Sequence, residues 1–277
     1  MFELERVGSG LLHNKPKLTT VQAMFGFDRK LTHYINEYPN IFLGSPNITS
    51  THQMFHECQN LAVGEQGLGQ MMDPLVNLTT CSYMFYGCEY NLNCDIPEGF
   101  LSNNTKLVKM NGMFQRCRKL PRIPKCMFNK AGELKKFPNL TKAVGVFAEC
   151  NAMEGVVDST FFLGAEALTN IGMEVEDNIL LATSRYPAEG FFQNTKITGY
   201  FETFLNVLPN VQNVSGLFRK CTQLKDCWNY KGNVETTRSN SISEDLFISN
   251  KYVNDLHSMF NGCAKIEGHI PNGLFDN

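Results

Sequence analysis

One phrase, Met-Phe-x-x-Cys-x-x-Leu, recurs along most of this chain, and its period restricts the chain to folds built by stacking. It reads MFHECQNL at 54–61, MFYGCEYN at 84–91 and MFQRCRKL at 113–120. It returns as VFAECNAM at 146–153, LFRKCTQL at 217–224 and MFNGCAKI at 259–266. A seventh copy, MFGFDRKL at 24–31, has Asp28 in the cysteine position. Phe25, Phe55, Phe85 and Phe114 are spaced 30, 30 and 29 residues apart. A unit of that length cannot bury its apolar face alone, so it must lie against its neighbours in a solenoid.

Two further landmarks complete the unit. IPEGFL at 96–101, IPKCMF at 123–128 and IPNGLF at 270–275 precede the phrase, with looser versions VGSGLL at 7–12, YPNIFL at 38–43, VDSTFF at 157–162 and ISEDLF at 242–247. Joining segments such as NLTTCSYMF and KLVKMNGMF connect the two. Proline ends each extended piece, and glycine and small polar residues make turns. An apolar spacing of three fits neither a long amphipathic helix nor a clean alternation. Short strands interleaved with single helical turns are expected, with Met-Phe-x-x-Cys as the helical turn. One solenoid domain is expected over 1–277, irregular at 174–204, where EVEDNILLATSRYP breaks the count and Thr195 stands where cysteine is due.

Six of the ten cysteines, Cys58, Cys88, Cys117, Cys150, Cys221 and Cys263, hold one repeat position and should form an interior column of free thiols. Cys81, Cys94, Cys126 and Cys227 lie off it, and no Cys-x-x-Cys pair suggests zinc. The sequons at Asn47, Asn77 and Asn139 share one repeat position, which favours an asparagine column over glycosylation. His52 and His56 are four apart, but His52 aligns with Gln22, Ser82 and Asn111 and is read as a polar surface position rather than a metal ligand.

These phrases resemble the BspA-like leucine-rich repeats and the related Met-Phe-x-x-Cys surface repeats of bacteria, over about residues 7–277. The resemblance implies an α/β repeat fold, a leucine-rich-repeat-type solenoid of about eight coils. It also implies a binding or scaffold role, since members of that family are largely surface proteins of host-associated microbes or components of their phages.

The charge balance, 25 basic against 27 acidic residues, has no basic stripe of the kind that binds nucleic acid. No apolar run approaches membrane-spanning length, and no signal-peptide stretch opens the chain. Neither end carries a recognisable cap, so neighbouring chains or further repeats are expected to cover them. Nucleophile-elbow, P-loop, dinucleotide and zincin motifs are absent, and no catalytic residue, metal site or cofactor is expected.

The candidate binding segment is an insertion at 225–241 that carries the only tryptophan, Trp228, with Tyr230, Lys231 and Arg238. Insertions in solenoids map to loops on one face, and these residue types anchor interfaces. The loop is expected to stand outside the solenoid, with Trp228 lidding the core as its structural alternative. The acidic cluster Glu174, Glu176 and Asp177 is read as a solvated degenerate repeat. The reading is a non-enzymatic module on a virion or bacterial cell surface that engages protein or glycan. The alternative is a carbohydrate-active enzyme with its site in 174–240, marked by two converging carboxylates.

Overall fold

A computed structural model describes residues 4–8, 10–32, 40–63, 67–181, 184–231, 234–239, 242–272 and 274; for 229–231 and 234–239 the description is of the backbone. Parallel bridge pairs link Thr20 to Ser50, Thr80, Lys109, Lys142, Asn170, Asn213 and Asp255 in turn, so eight segments of chain lie side by side in register. The phenylalanines stack with them. Ring centroids from Phe25 to Phe55, Phe85, Phe114 and Phe147 are separated by 5.4, 5.8, 5.3 and 5.7 Å. The column continues through Phe192 and Phe218 to Phe260 at 6.1, 5.8 and 5.7 Å. Phe192 sits in the degenerate coil that ends at Thr195, and it keeps the column unbroken.

The Met-Phe-x-x-Cys stretch is not a helical turn. It is a run of tight turns in which alternate N–H groups point to different partners. Val21, Ala23, Phe25 and Phe27 donate to Ser50, His52, Met54 and His56 of the next coil at 3.0, 2.8, 2.9 and 2.6 Å. Met24, Gly26 and Asp28 instead donate to Val21, Ala23 and Phe25 within the coil. In most runs two residues four apart take the left-handed conformation to allow this. Gln53, Glu57, Tyr83, Arg116 and Glu149 accordingly have φ between 57° and 62°. Each such non-glycine residue costs of order 1–2 kcal/mol, which the cross-coil bonds offset. Among the described residues there is no α-helix, and the one 3₁₀ turn is Glu202–Leu205.

The cysteine position has a specific explanation. Each thiol donates to the phenylalanine carbonyl of the coil before it: Cys58 to Phe25, Cys88 to Phe55, Cys117 to Phe85 and Cys150 to Phe114, at 2.9–3.4 Å. Cys221 and Cys263 repeat the contact on Phe192 and Phe218 at 3.0 Å. A small side chain with one weak donor fits a buried site facing one carbonyl. Thr195 fills the position in the degenerate coil and donates to Phe192. The Asp28 carboxyl, pushed up by burial, is met by the backbone of Leu4 and Lys30.

All ten cysteines are unbridged. Burial pushes the thiols of Cys58 and Cys263 up to about 12. Denatured but unreduced protein should therefore titrate ten thiols with a disulfide reagent, and native protein should react first at half-buried Cys94, the most accessible of them. Recovery of about two or fewer in denaturant would mean that the column is oxidised.

Two of the aligned sequon asparagines, Asn47 and Asn77, serve the stack. Asn47 Nδ2 donates to the Pro16 carbonyl at 2.8 Å, and Asn77 Nδ2 to the Pro46 carbonyl and Asn47 Oδ1 at 3.1 and 3.2 Å.

Six strands occur among the described residues: β1 (Glu154–Val157), β2 (Glu176–Asp177), β3 (Arg185–Tyr186), β4 (Lys196–Phe201), β5 (Asp226–Lys231) and β6 (Val234–Ser239). They form a four-stranded sheet in the order β1-β4-β5-β6 and a separate β2-β3 hairpin. The inserted segment thus departs from the expected free loop. Its first half, β5, pairs in parallel with β4 (Gly199 with Asp226, Phe201 with Trp228) and extends the stack, and β6 returns antiparallel. Asp226 and Cys227 are buried. The physical reason is an otherwise open β4 edge, whose unpaired backbone groups the insertion satisfies.

Candidate functional site

The phenylalanine, the residue before it (Met54, Met84, Met113) and the cysteine face the main core, while the residues two before and one after the phenylalanine lie on the opposite face. On coils two to four that opposite face carries His52, Gln53 and His56, then Tyr83 and Tyr86, then Asn111, Gln115 and Arg116. Tyr83, Tyr86 and Tyr186 form an apolar cluster distinct from the main core. Gly112 belongs to this design. With φ at 55° it takes the left-handed conformation, and a Cβ there would collide with the Tyr83 ring.

The irregular segment 174–187 is an excursion from the sixth coil, which leaves after Met173 and rejoins at Gly190. It folds back as the β2-β3 hairpin across coils two to four, so the solvated repeat expected of this acidic stretch is not what forms. Tyr186 stacks on Tyr83 with centroids 3.5 Å apart and planes 5° apart, and meets Tyr86 and His56 edge-on at 5.1 and 5.8 Å. Glu176 accepts from Tyr83 Oη and Asn111 Nδ2, both at 2.8 Å, with Lys109 Nζ at 3.9 Å. Gln53 Nε2 donates to Asn178 Oδ1 at 2.8 Å and to the Tyr186 hydroxyl. Glu174 binds Lys142 and Asn170 at 2.6 Å each, and only Asp177, paired with Arg185 at 3.1 Å, stays in water.

Electrostatics follow from this cover. Burial, then Lys109, lowers His52 to about 4; burial, then His52 and Arg116, lowers His56 to about 3. The row Gln22–His52–Ser82–Asn111 is a surface position only at its start: Gln22 is exposed and His52 half-buried, but Ser82 and Asn111 are fully buried. Arg116 closes the lower edge, reaching Glu89 at 2.9 Å, Glu57 at 3.6 Å and the Tyr86 hydroxyl at 3.3 Å. Beyond the hairpin, Glu189 accepts from Gln115, and burial, then the Glu149 carboxylate, raises it to about 7. Glu149 in turn accepts from Asn194 at 2.6 Å. Among the described residues no group of three or more His, Cys, Asp or Glu side chains is placed to hold a metal. No helix there is long and apolar enough to cross a membrane.

The residues expected from sequence lie elsewhere. Trp228 is on β5, half-buried, with its ring 5.7 Å from that of Phe201. Tyr230 and Lys231 follow on β5 and Arg238 lies opposite Trp228 on β6, but the side chains of these three lie outside the described residues. The structure thus gathers a second group, around Tyr83 and Tyr186, that motif reading missed. A signal was present. Two residues before the phenylalanine most later coils carry glycine (Gly112, Gly145, Gly216), whereas coils two and three carry Gln53 and Tyr83.

A family model described as "Mycoplasma protein of unknown function, DUF285" matches residues 12–124 and again 41–159, together more than half of the chain. No curated protein matches it.

Proposed function

This chain belongs to the family described as Mycoplasma protein of unknown function, DUF285, and from that premise we propose that it is a non-enzymatic, leucine-rich-repeat-type scaffold that binds a protein or glycan at a bacterial surface or on a virion. The observation that carries this is the contrast between its columns. Inward, phenylalanine and cysteine hardly vary. One residue after each phenylalanine the outward row runs His56, Tyr86, Gln115, Ala148, Gln193, Arg219 and Asn261. This second face is covered from His56 to Gln193, partly open at Arg219 and open at Asn261, and a constant core beside a face whose chemistry changes at every coil is how stacked repeats build recognition surfaces. The β5-β6 hairpin borders the stack and places Trp228, Tyr230, Lys231 and Arg238 together on two adjacent strands, residue types that anchor interfaces.

The carbohydrate-active alternative rests on Glu189, raised to about 7 beside Glu149, as an acid–base pair requires. Within the same segment Glu174 and Glu176 are engaged by protein donors, which favours structure over catalysis. The two readings separate in one set of measurements. Labelled protein is applied to a glycan array and to intact bacterial and host cells, and a panel of aryl glycosides is assayed for turnover. Binding without turnover is expected, weakened about tenfold or more by Trp228→Ala. Turnover abolished by Glu189→Gln would replace the scaffold reading with the enzyme, and binding indifferent to Trp228→Ala would move the contact off the hairpin.

A further inference from the structure

The 174–187 hairpin is held to the coils by ring stacking and polar contacts rather than by burial in the main core. Its apolar side chains do not enter the core: Val175, Ile179 and Leu181 remain 51, 50 and 45% exposed. What it buries is Tyr186 and Asn178, against tyrosine rings and polar groups. The fit is also incomplete. Both ring nitrogens of His56 and Gln53 Oε1 are shut away without a hydrogen-bond partner, a cost that opening would relieve. His56 is boxed by Phe27 at 5.0 Å, Tyr86 at 4.8 Å and Tyr186 of the hairpin. An imidazolium cannot keep that position without water or an acceptor.

We propose that the hairpin is an acid-released cover: a proton on His56 lifts it from the tyrosine face while the stacked coils beneath stay folded. The groups around His56 set the direction. On its own coil stands His52, and from the fourth coil comes Arg116, both opposing a second positive charge. The nearby carboxylates are already committed, Glu57 to Arg116 and Arg29, Glu89 to Arg116 and Arg118, and Glu176 to Tyr83 and Asn111. Tyr83, Tyr86 and Tyr186 remain protonated, since burial pushes each upward.

Closure holds His56 neutral, so the closed form is favoured above pH 6.5 and loses ground as pH falls from 6.5 toward about 3. At pH 4.5 His56 alone shifts the balance toward the open form by about 100-fold relative to neutral pH. His52, lowered to about 4, acts in the same direction. Whatever the face binds, these rings are accessible only when the hairpin is up.

Hydrogen exchange on the intact chain tests this, with rates expressed as protection factors at pH 7.5, 5.5 and 4.5. The amides of Asn178, Leu181 and Ser184, bonded within a hairpin too short to persist once lifted from the coils, should lose about 100-fold protection at pH 4.5. The Phe85 and Phe114 amides, bonded between coils, should keep theirs. His56→Tyr and His56→Gln, which place at this position what Tyr86 and Gln115 provide in the next coils, should hold the hairpin closed at pH 4.5. Loss of hairpin and coil protection together would replace local release with global unfolding. A wild-type hairpin still protected at pH 4.5, or variants that open like wild type, would overturn the proposal.

Discussion

Phe114→Ala is expected to cost about 3–5 kcal/mol, one of the largest effects of any single substitution in this chain. The ring is fully buried, stacked between Phe85 and Phe147 with planes within 9°, and tilted against Phe100 at 6.0 Å. The handed turns around it cannot collapse into the void, because each is tied to the coils on both sides by N–H donors 2.7–3.0 Å from their carbonyls. The damage should spread by nearest-neighbour coupling. Amides of the coils around Phe85 and Phe147 should lose protection along with those of the fourth coil, ahead of those near Phe25. Phe260, half-buried and stacked only on Phe218 among the described rings, should cost less when truncated. Urea titration of both variants measures this. A loss below about 1 kcal/mol for Phe114→Ala would mean that the column is not what holds the coils together.

The stack was legible because it is written as a period. A phenylalanine at intervals of 29 or 30 residues from Phe25 to Phe114, with a cysteine three after most of them, can be buried only by self-stacking, and the alignment of Asn47 and Asn77 announced their bonds to the preceding turn. The turn geometry was not legible. Gln53, Tyr83 and Arg116 take left-handed φ although nothing in their type favours it; the bonds to neighbouring coils impose it, and those are invisible along one repeat. The hairpin escaped for a related reason. Glu176, Asn178 and Tyr186 look solvated in sequence, and their partners, Tyr83, Asn111 and Gln53, lie 65 to 133 residues away. Long-range polar contacts leave no periodic trace. The residues around Trp228 stood out as a departure from the repeat, yet composition could not reveal that the departure begins as a strand.

That strand sets the outcome of removing it. Deleting residues 226–240 and closing the gap with a short Gly-Ser link should lower stability by about 2–4 kcal/mol, through lost burial and unmade hydrogen bonds. Three things go at once: the parallel pairing of Gly199, Tyr200 and Phe201 with Asp226, Cys227 and Trp228, the buried Cys227 and Asp226, and the indole packed on Phe201. Shortening the hairpin only beyond Tyr230 and Glu235, its bulged pair, spares all three. Closing a shorter loop changes its entropy by only about 0.6 kcal/mol per halving of length, so the shortened protein should melt close to the parent. The pair of variants therefore separates support from recognition. If the full deletion melts within about a degree of the parent, β5 is an appendage and its pairing with β4 contributes little. If the tip-shortened chain is stable but no longer attaches, contact with the partner is made at the tip, and the strand beneath it is there to hold that tip at the edge of the stack.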